Sequence, residues 1–204
     1  MTSIILAGGK SSRLGRNKAL QVIGGKSLIR WVVDRLVTLS TEIIIATARG
    51  EAIPCSSTAT ITTVADIYPD KGPLGGIYSG LIASSGPRAI VVSCDTPFLS
   101  TGLLEYMTRL SPTFDVVVPR IKDEVEPLCA VYSKNCVAPI RGLLQQNELR
   151  IIELFPMVKV RYVEEDEIDN FDPEHLSFFN INTQADLERA RMVATERGWL
   201  PRKS

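Results

Sequence analysis

The chain has 204 residues, 45% of them apolar, enough for a sizeable core in one large domain or two small ones, which excludes disordered, collagenous and coiled-coil readings. Lysine and arginine together number 23, as do aspartate and glutamate, for a formal net charge of zero, so no overall field would draw the protein onto nucleic acid or an anionic membrane. The single histidine, His175, stands in an acidic stretch. Metalloprotease and serine-hydrolase chemistry therefore have almost nothing to work with.

In chain order, residues 3–7 (SIILA) form a short apolar strand ended by Gly8-Gly9, with no basic leader before it. A polar loop follows, then an amphipathic helix over 27–39 with Leu28, Trp31, Val32, Leu36 and Leu39 on its apolar stripe. Strands are read at 42–48, 60–65, 88–94, 115–119, 127–132 and 158–163. Helices are read at 74–83, 101–110 with Ser100 as N-cap, 137–146, 150–155 and 185–197. Cys55, Cys94, Cys129 and Cys136 show no C-x-x-C spacing and read as small core residues of a reducing compartment. No apolar run reaches the roughly 18 residues of a membrane span, so a cytoplasmic setting is expected.

Near-continuous apolar strands alternating with helices predict an α/β fold: one three-layer, doubly wound, Rossmann-like domain over 1–204 with a mostly parallel sheet. Ligands in such sheets bind beyond the carboxyl ends of the strands, which directs attention to the loops there.

The loop after the first strand, LAGGKSSRLGRNK over 6–18, is the densest signal. Gly8 and Gly9 let backbone N–H groups approach a phosphate, or simply make a tight turn. Between residues 10 and 35 the cations are Lys10, Arg13, Arg16, Lys18, Lys26, Arg30 and Arg35, against Asp34 alone. Arg13 offers a planar fork for phosphate oxygens and Lys18 a mobile point charge; both suit charge moving onto a leaving pyrophosphate. Neither the P-loop nor the dinucleotide-binding glycine pattern is present.

In the second loop, from Gly72 through Gly80, a proline and several glycines open a helix where a flat base could lie against backbone, or where the helix packs closely on the sheet. Asp66, at the end of the strand before it, could meet a base or ribose or be an ordinary strand-end residue. Asp95 follows VVSC at the end of an apolar strand, placed either to hold Mg²⁺ together with substrate phosphates or to cap the next turn. Asn180 and Asn182 alternate with apolar residues and would face one side of an extended strand, toward a pterin or phosphate or in a turn. Thr183 and Asp186 form a capping-box variant.

Taken in order, LAGGKSSRLGRNK, GPLGGIYSGL, CDTPF, EPLCAVY and FFNINTQADL resemble the molybdenum cofactor guanylyltransferases, a family of MobA-like nucleotidyltransferases, over nearly the whole chain. The resemblance implies the nucleotide-diphospho-sugar transferase type of fold and transfer of GMP from Mg·GTP to the terminal phosphate of molybdenum-loaded molybdopterin. The products would be pyrophosphate and the guanine dinucleotide cofactor. Carried over by residue, Leu6, Ala7, Gly8, Gly9 and Gly72 would line the nucleotide, Arg13 and Lys18 its phosphates, and Asp66 the guanosine. Asp95 would hold Mg²⁺, and Asn180 and Asn182 would lie toward the pterin. Molybdenum-insertion proteins and acceptor molybdoenzymes are the implied partners of a monomer or weak oligomer. The alternatives are a related enzyme using CTP on molybdopterin or GTP on another phosphorylated acceptor, and a non-catalytic module that binds nucleotide without releasing pyrophosphate.

Overall fold

A computed structural model of the chain describes residues 1–8, 18–55 and 58–200. Strand β1 (Thr2–Leu6) is buried at every position, as a strand covered on both faces must be. A two-residue-per-strand hairpin, β2 (Val22–Ile23) and β3 (Lys26–Ser27), turns through Gly24 and Gly25 at φ 57° and 82°, backbone angles that glycine adopts without steric cost. It leads into α1 (Leu28–Leu36). The chain continues through β4 (Glu42–Thr47), β5 (Thr60–Ala65), α2 (Gly72–Ala83), β6 (Arg88–Ser93) and α3 (Thr101–Leu110). After these come β7 (Val116–Ile121), β8 (Glu124–Val125), β9 (Cys129–Ser133), α4 (Val137–Gln145), β10 (Val160–Val163), α5 (Glu165–Asp169) and α6 (Gln184–Glu196).

Among the described residues eight strands form one sheet in the order β10-β7-β9-β6-β1-β4-β5, with β8 paired on β7, while β2 and β3 pair only with each other. The pairs β10·β7, β6·β1, β1·β4 and β4·β5 are parallel, whereas β9 runs antiparallel to both β6 and β7. From β1 the chain builds outward through β4 to β5 and then returns to lay β6 on the other side of β1. The strand order reverses at β1/β6, the position where an open α/β sheet presents a ligand crevice. Leu6 pairs with both Ala46 and Ser93, so three central strands end level and their loops leave from one edge.

Successive β1 side chains point to opposite faces. Ile4 and Leu6 join Leu74, Ile77 and Leu81 of α2 in one apolar cluster, while Ile5 joins Ile29, Val32 and Leu36 of α1 in another. Each such aliphatic side chain contributes about 1.5–3 kcal/mol on full burial. A third cluster, Ile23, Leu28, Trp31, Phe98, Ile181 and Leu187, ties the β2–β3 hairpin and the back of α1 to α6. Leu200 closes over this hairpin so tightly that a Cβ on Gly24 would lie 1.9 Å from its Cδ2.

Most predicted elements stand within about two residues of their expected ends. Three differences have local causes. The helix expected at 150–155 is a 3₁₀ turn over Ile151–Met157, where Pro156 cannot supply an α-helical hydrogen bond. The strand expected to begin at 127 begins at Cys129, after a turn closed by the Cys129 N–H on the Glu126 carbonyl, and runs antiparallel. Residues 179–183 belong to no strand, because the Ile181 N–H bonds the Asp95 carbonyl at 3.0 Å instead of a sheet partner. The two-residue strands and the short α5, which opens on a capping box between Glu164 and Glu167, escaped sequence periodicity.

Cys94, Cys129 and Cys136 are buried and Cys55 is half-buried, all as free thiols; burial pushes Cys94 up to about 12. No described helix is long and apolar enough to cross a membrane.

Candidate active site

At the level edge of β1, β4 and β6 lies a cleft of about 560 Å³, lined by Leu6 to Gly8 at the end of β1, by Thr47 to Arg49 and Glu51 to Pro54 at the end of β4, by Ser93 to Asp95 at the end of β6, and by Lys18. Asp95 projects from the end of β6. Its Oδ1 accepts the Ser93 hydroxyl at 2.5 Å and its Oδ2 lies 2.7 Å from Lys18 Nζ, so the carboxylate serves these two side chains and does not cap the turn that follows. That turn is held separately by the Thr96 hydroxyl on the Ser93 carbonyl at 3.0 Å.

Lys18 stands on a 3₁₀ turn, Lys18–Leu20, anchored by the buried side chain of Ala19. Its ammonium also donates to the Asn182 Oδ1 at 2.5 Å. Asn182 sits just before α6, where Asp186 accepts the backbone N–H groups of Asn182 and Thr183 and Thr183 Oγ1 accepts the Asp186 N–H. The Asn182 and Thr183 donors hold the Asp186 carboxyl below its usual range. A helix cap thus positions Asn182, which with Asp95 holds the lysine in the cleft.

A Cβ on Gly8 would lie 3.0 Å from the Ala48 nitrogen, so glycine is what allows the segments after β1 and β4 to touch. The Ala7 N–H is spent on the Ala46 carbonyl at 2.8 Å; a backbone cradle for phosphate would start at Gly8. Gly9 and Arg13 lie outside the described residues.

Asp66, at the end of β5, is half-buried. Its Oδ1 and the Thr47 hydroxyl are buried polar atoms with no hydrogen-bond partner, and both stand at strand ends on the β4–β5 side. Gly76 of α2 is what makes room here, since a Cβ on it would lie 3.0 Å from Leu6 Cδ2 and 3.6 Å from the Asp66 Oδ1. Burial pushes the Asp66 carboxyl up to about 6. The native state then holds this proton at pH values where the unfolded chain has released it, so this group costs stability as pH rises from about 4 to about 6. Asp66→Asn is therefore expected to gain stability relative to the unsubstituted protein over that interval and to hold the gain above it. Paired urea denaturations at pH 4, 5, 6 and 7 check this; a constant difference between the two proteins would mean that Asp66 titrates normally.

Gly72 opens α2 at φ 63° with open space where a side chain would stand, and it is absent from the cleft lining. Asn180 also lies apart: its amide donates to the Phe178 carbonyl at 3.2 Å, and it lines a second cavity with Thr96 and Glu126. Lys18, Asp95 and Asn182 are thus brought into contact, while Asp66 and Asn180 flank them on opposite sides. Sequence reading missed Thr47, the segment 49–54 and Ser93; only Ser93, two positions before a strand-end aspartate, carried a local signal.

A strand-order reversal whose crevice presents a lysine–aspartate pair beside Gly8 at the end of the first strand is the arrangement of a nucleotidyltransferase. A family model described as "MobA-like NTP transferase domain" matches residues 3–157. The chain is 37% identical over 203 residues to the "Probable molybdenum cofactor guanylyltransferase" of Pelotomaculum thermopropionicum, covering 98% of each. It is 35% identical over 192 residues to the "Molybdenum cofactor guanylyltransferase" of Desulfosudis oleivorans, covering 93% and 94%. The crystal structure of "Molybdopterin-guanine dinucleotide biosynthesis protein A" from Archaeoglobus fulgidus superposes with a TM-score of 0.82 at 26% identity, covering 96% of this chain and all of that one. The chain belongs to the MobA-like family of nucleotidyltransferases.

Proposed function

We propose that this chain, acting as one catalytic domain in the cytoplasm, transfers GMP from GTP to the terminal phosphate of molybdenum-loaded molybdopterin. The acceptor phosphate oxygen attacks the α-phosphorus, the bond from that phosphorus to the bridging oxygen breaks, and pyrophosphate leaves with the electron pair. The observation that carries this reading is the Lys18–Asp95 contact of 2.7 Å at the β1/β6 reversal, facing the cleft. The ionised acceptor phosphate is itself the nucleophile, so positioning and charge neutralisation suffice.

In this reading Leu6, Ala7, Gly8 and Gly9 flank the nucleotide, with Gly72 shaping the start of α2 nearby. Arg13 and Lys18 take the phosphates, Asp66, whose Oδ1 has no hydrogen-bond partner, accepts from the guanosine, and Asn180 and Asn182 face the pterin. Among the described residues no trio of His, Cys, Asp or Glu is grouped to chelate a metal. One carboxylate with a hydroxyl beside it fits Mg²⁺, which draws most of its ligands from phosphates and water, and Asp95 would hold it. When bound, Mg²⁺ neutralises charge on the phosphate oxygens. Lys18, on a flexible stem, can exchange its contact with Asp95 for the departing phosphate.

Molybdenum-insertion proteins and acceptor molybdoenzymes are the partners this reaction calls for. The deciding experiment is a competition among GTP, CTP, ATP and UTP with molybdopterin as acceptor. Pyrophosphate release with GTP alone is expected. Preference for CTP would reassign the donor, and nucleotide binding without pyrophosphate release would make the protein a carrier.

A further inference from the structure

On the acceptor side of Asp95 the structure has a second, smaller cavity of about 180 Å³, below the roughly 300–1,000 Å³ of pockets for drug-sized ligands and therefore suited to a single ring system. Thr96, the residue after Asp95 of the cleft, lines it; its walls include Pro127, Leu128, Ile151 and Phe178, with Asn180 and Glu126 as polar groups.

Glu126 stands at the turn between β8 and β9. Its backbone is fully engaged, the N–H on the Pro119 carbonyl at 3.0 Å and the carbonyl accepting from Cys129 at 3.0 Å. Its half-buried carboxylate takes no hydrogen bond and no ion pair from any described residue. Burial pushes this carboxyl above its usual range, and the negative charge of Glu124 adds to the effect. A partly desolvated acceptor without a donor costs free energy in the empty protein, a cost that a ligand bringing the donors removes.

We propose that this cavity binds the heterocycle of the acceptor and that Glu126 is its specificity-determining residue, accepting two adjacent N–H donors from the 2-amino-pyrimidinone edge of a pterin. Apolar walls cover the ring faces, while a carboxylate with two oxygens side by side matches an N–H and an exocyclic NH₂ side by side. The assignment rests on molybdopterin being the acceptor. Because Asp95 lines the cleft and Thr96 lines this cavity, a pterin anchored here would extend its phosphate arm toward the Lys18–Asp95 pair.

The test compares the unsubstituted enzyme with Glu126→Gln, which keeps the shape, removes the unpaired charge and is expected to fold with an unchanged or higher melting temperature. Two measurements are made. In steady-state transfer, the KM for molybdopterin is expected to rise roughly 10–100-fold, the range of one charge-assisted hydrogen bond, while kcat and the KM for GTP hold. In fluorescence titration without nucleotide, the unsubstituted protein is expected to prefer 6-hydroxymethylpterin over lumazine, which has a carbonyl where the pterin has its 2-amino group, and Glu126→Gln is expected to lose that preference. Equal affinity for both probes in the unsubstituted protein, or a preference that survives in Glu126→Gln, would overturn the assignment. Because the titration needs no transfer, pterin discrimination that depends on Glu126 in a protein that transfers no guanylyl group would refute the proposed reaction and uphold the pterin site.

Discussion

Asp95→Asn is expected to lower guanylyl transfer by about 10³-fold or more, the several kcal/mol that a metal ion on phosphate oxygens contributes. The substitution preserves shape. Its Oδ1 can still accept the Ser93 hydroxyl, and the local backbone is fixed by contacts that do not use the carboxylate: the Thr96 hydroxyl on the Ser93 carbonyl and the Ile181 N–H on the Asp95 carbonyl. What disappears is the negative charge that would hold Mg²⁺ and that now holds Lys18. Lys18 keeps Asn182 as a partner, so the melting temperature is expected to move by no more than about 4 °C, the equivalent of roughly 1 kcal/mol in a chain of this size. Pyrophosphate release across a Mg²⁺ titration, alongside thermal melting, checks both halves of the expectation. Retained turnover would remove Asp95 from the mechanism, however well placed it is.

Lys18→Ala is expected to lower kcat by about 10²–10³, the size of losing one preorganised charge-stabilising donor. Its effect differs in kind from that of Asp95→Asn, since the carboxylate remains and Mg²⁺ dependence should persist with a lower ceiling. Removing the ammonium also frees the Asn182 amide oxygen, but Asn182 stays positioned by Asp186 through the α6 cap. Single-turnover rates at saturating GTP and acceptor measure the loss without interference from substrate release. An unchanged rate would leave the lysine as a structural partner of Asp95 and no more.

The central strands were legible in the sequence because burial on both faces makes them continuous apolar runs, and each ends at a residue that breaks the run: Gly8 after β1, Asp95 after β6. The same logic drew attention to Asp95 and to the 6–18 loop. Periodicity says nothing of register, and register is what makes Thr47, Arg49 and residues 51–54 walls of the cleft, since they reach it only through the pairing of Leu6 with Ala46. The antiparallel direction of β9 was hidden for the same reason. The β2–β3 hairpin was invisible because its strands have two residues each and the flanking Gly24-Gly25 reads as part of a cationic loop. The alternation around Ile181, which is buried, predicts one strand face for Asn180 and Asn182. Their fates diverge because Asn180 turns back on the Phe178 carbonyl while Asn182 meets a lysine from the other end of the chain.

That meeting has a kinetic consequence. Lys18 reaches Asp95 across 77 positions and Asn182 across 164, so this constellation is built from some of the most non-local contacts in the molecule. Topologies of high contact order form slowly, because chain entropy must be lost before such contacts repay it. Local elements such as the β2–β3 hairpin and the first helix can form early, yet none of them creates the lysine's full set of partners. Competence for the reaction should therefore mature late in folding, and on the ribosome only after α6 has emerged to seat Asn182. A nascent chain stopped short of that point would carry the nucleotide side of the cleft and still lack the contact that fixes its lysine.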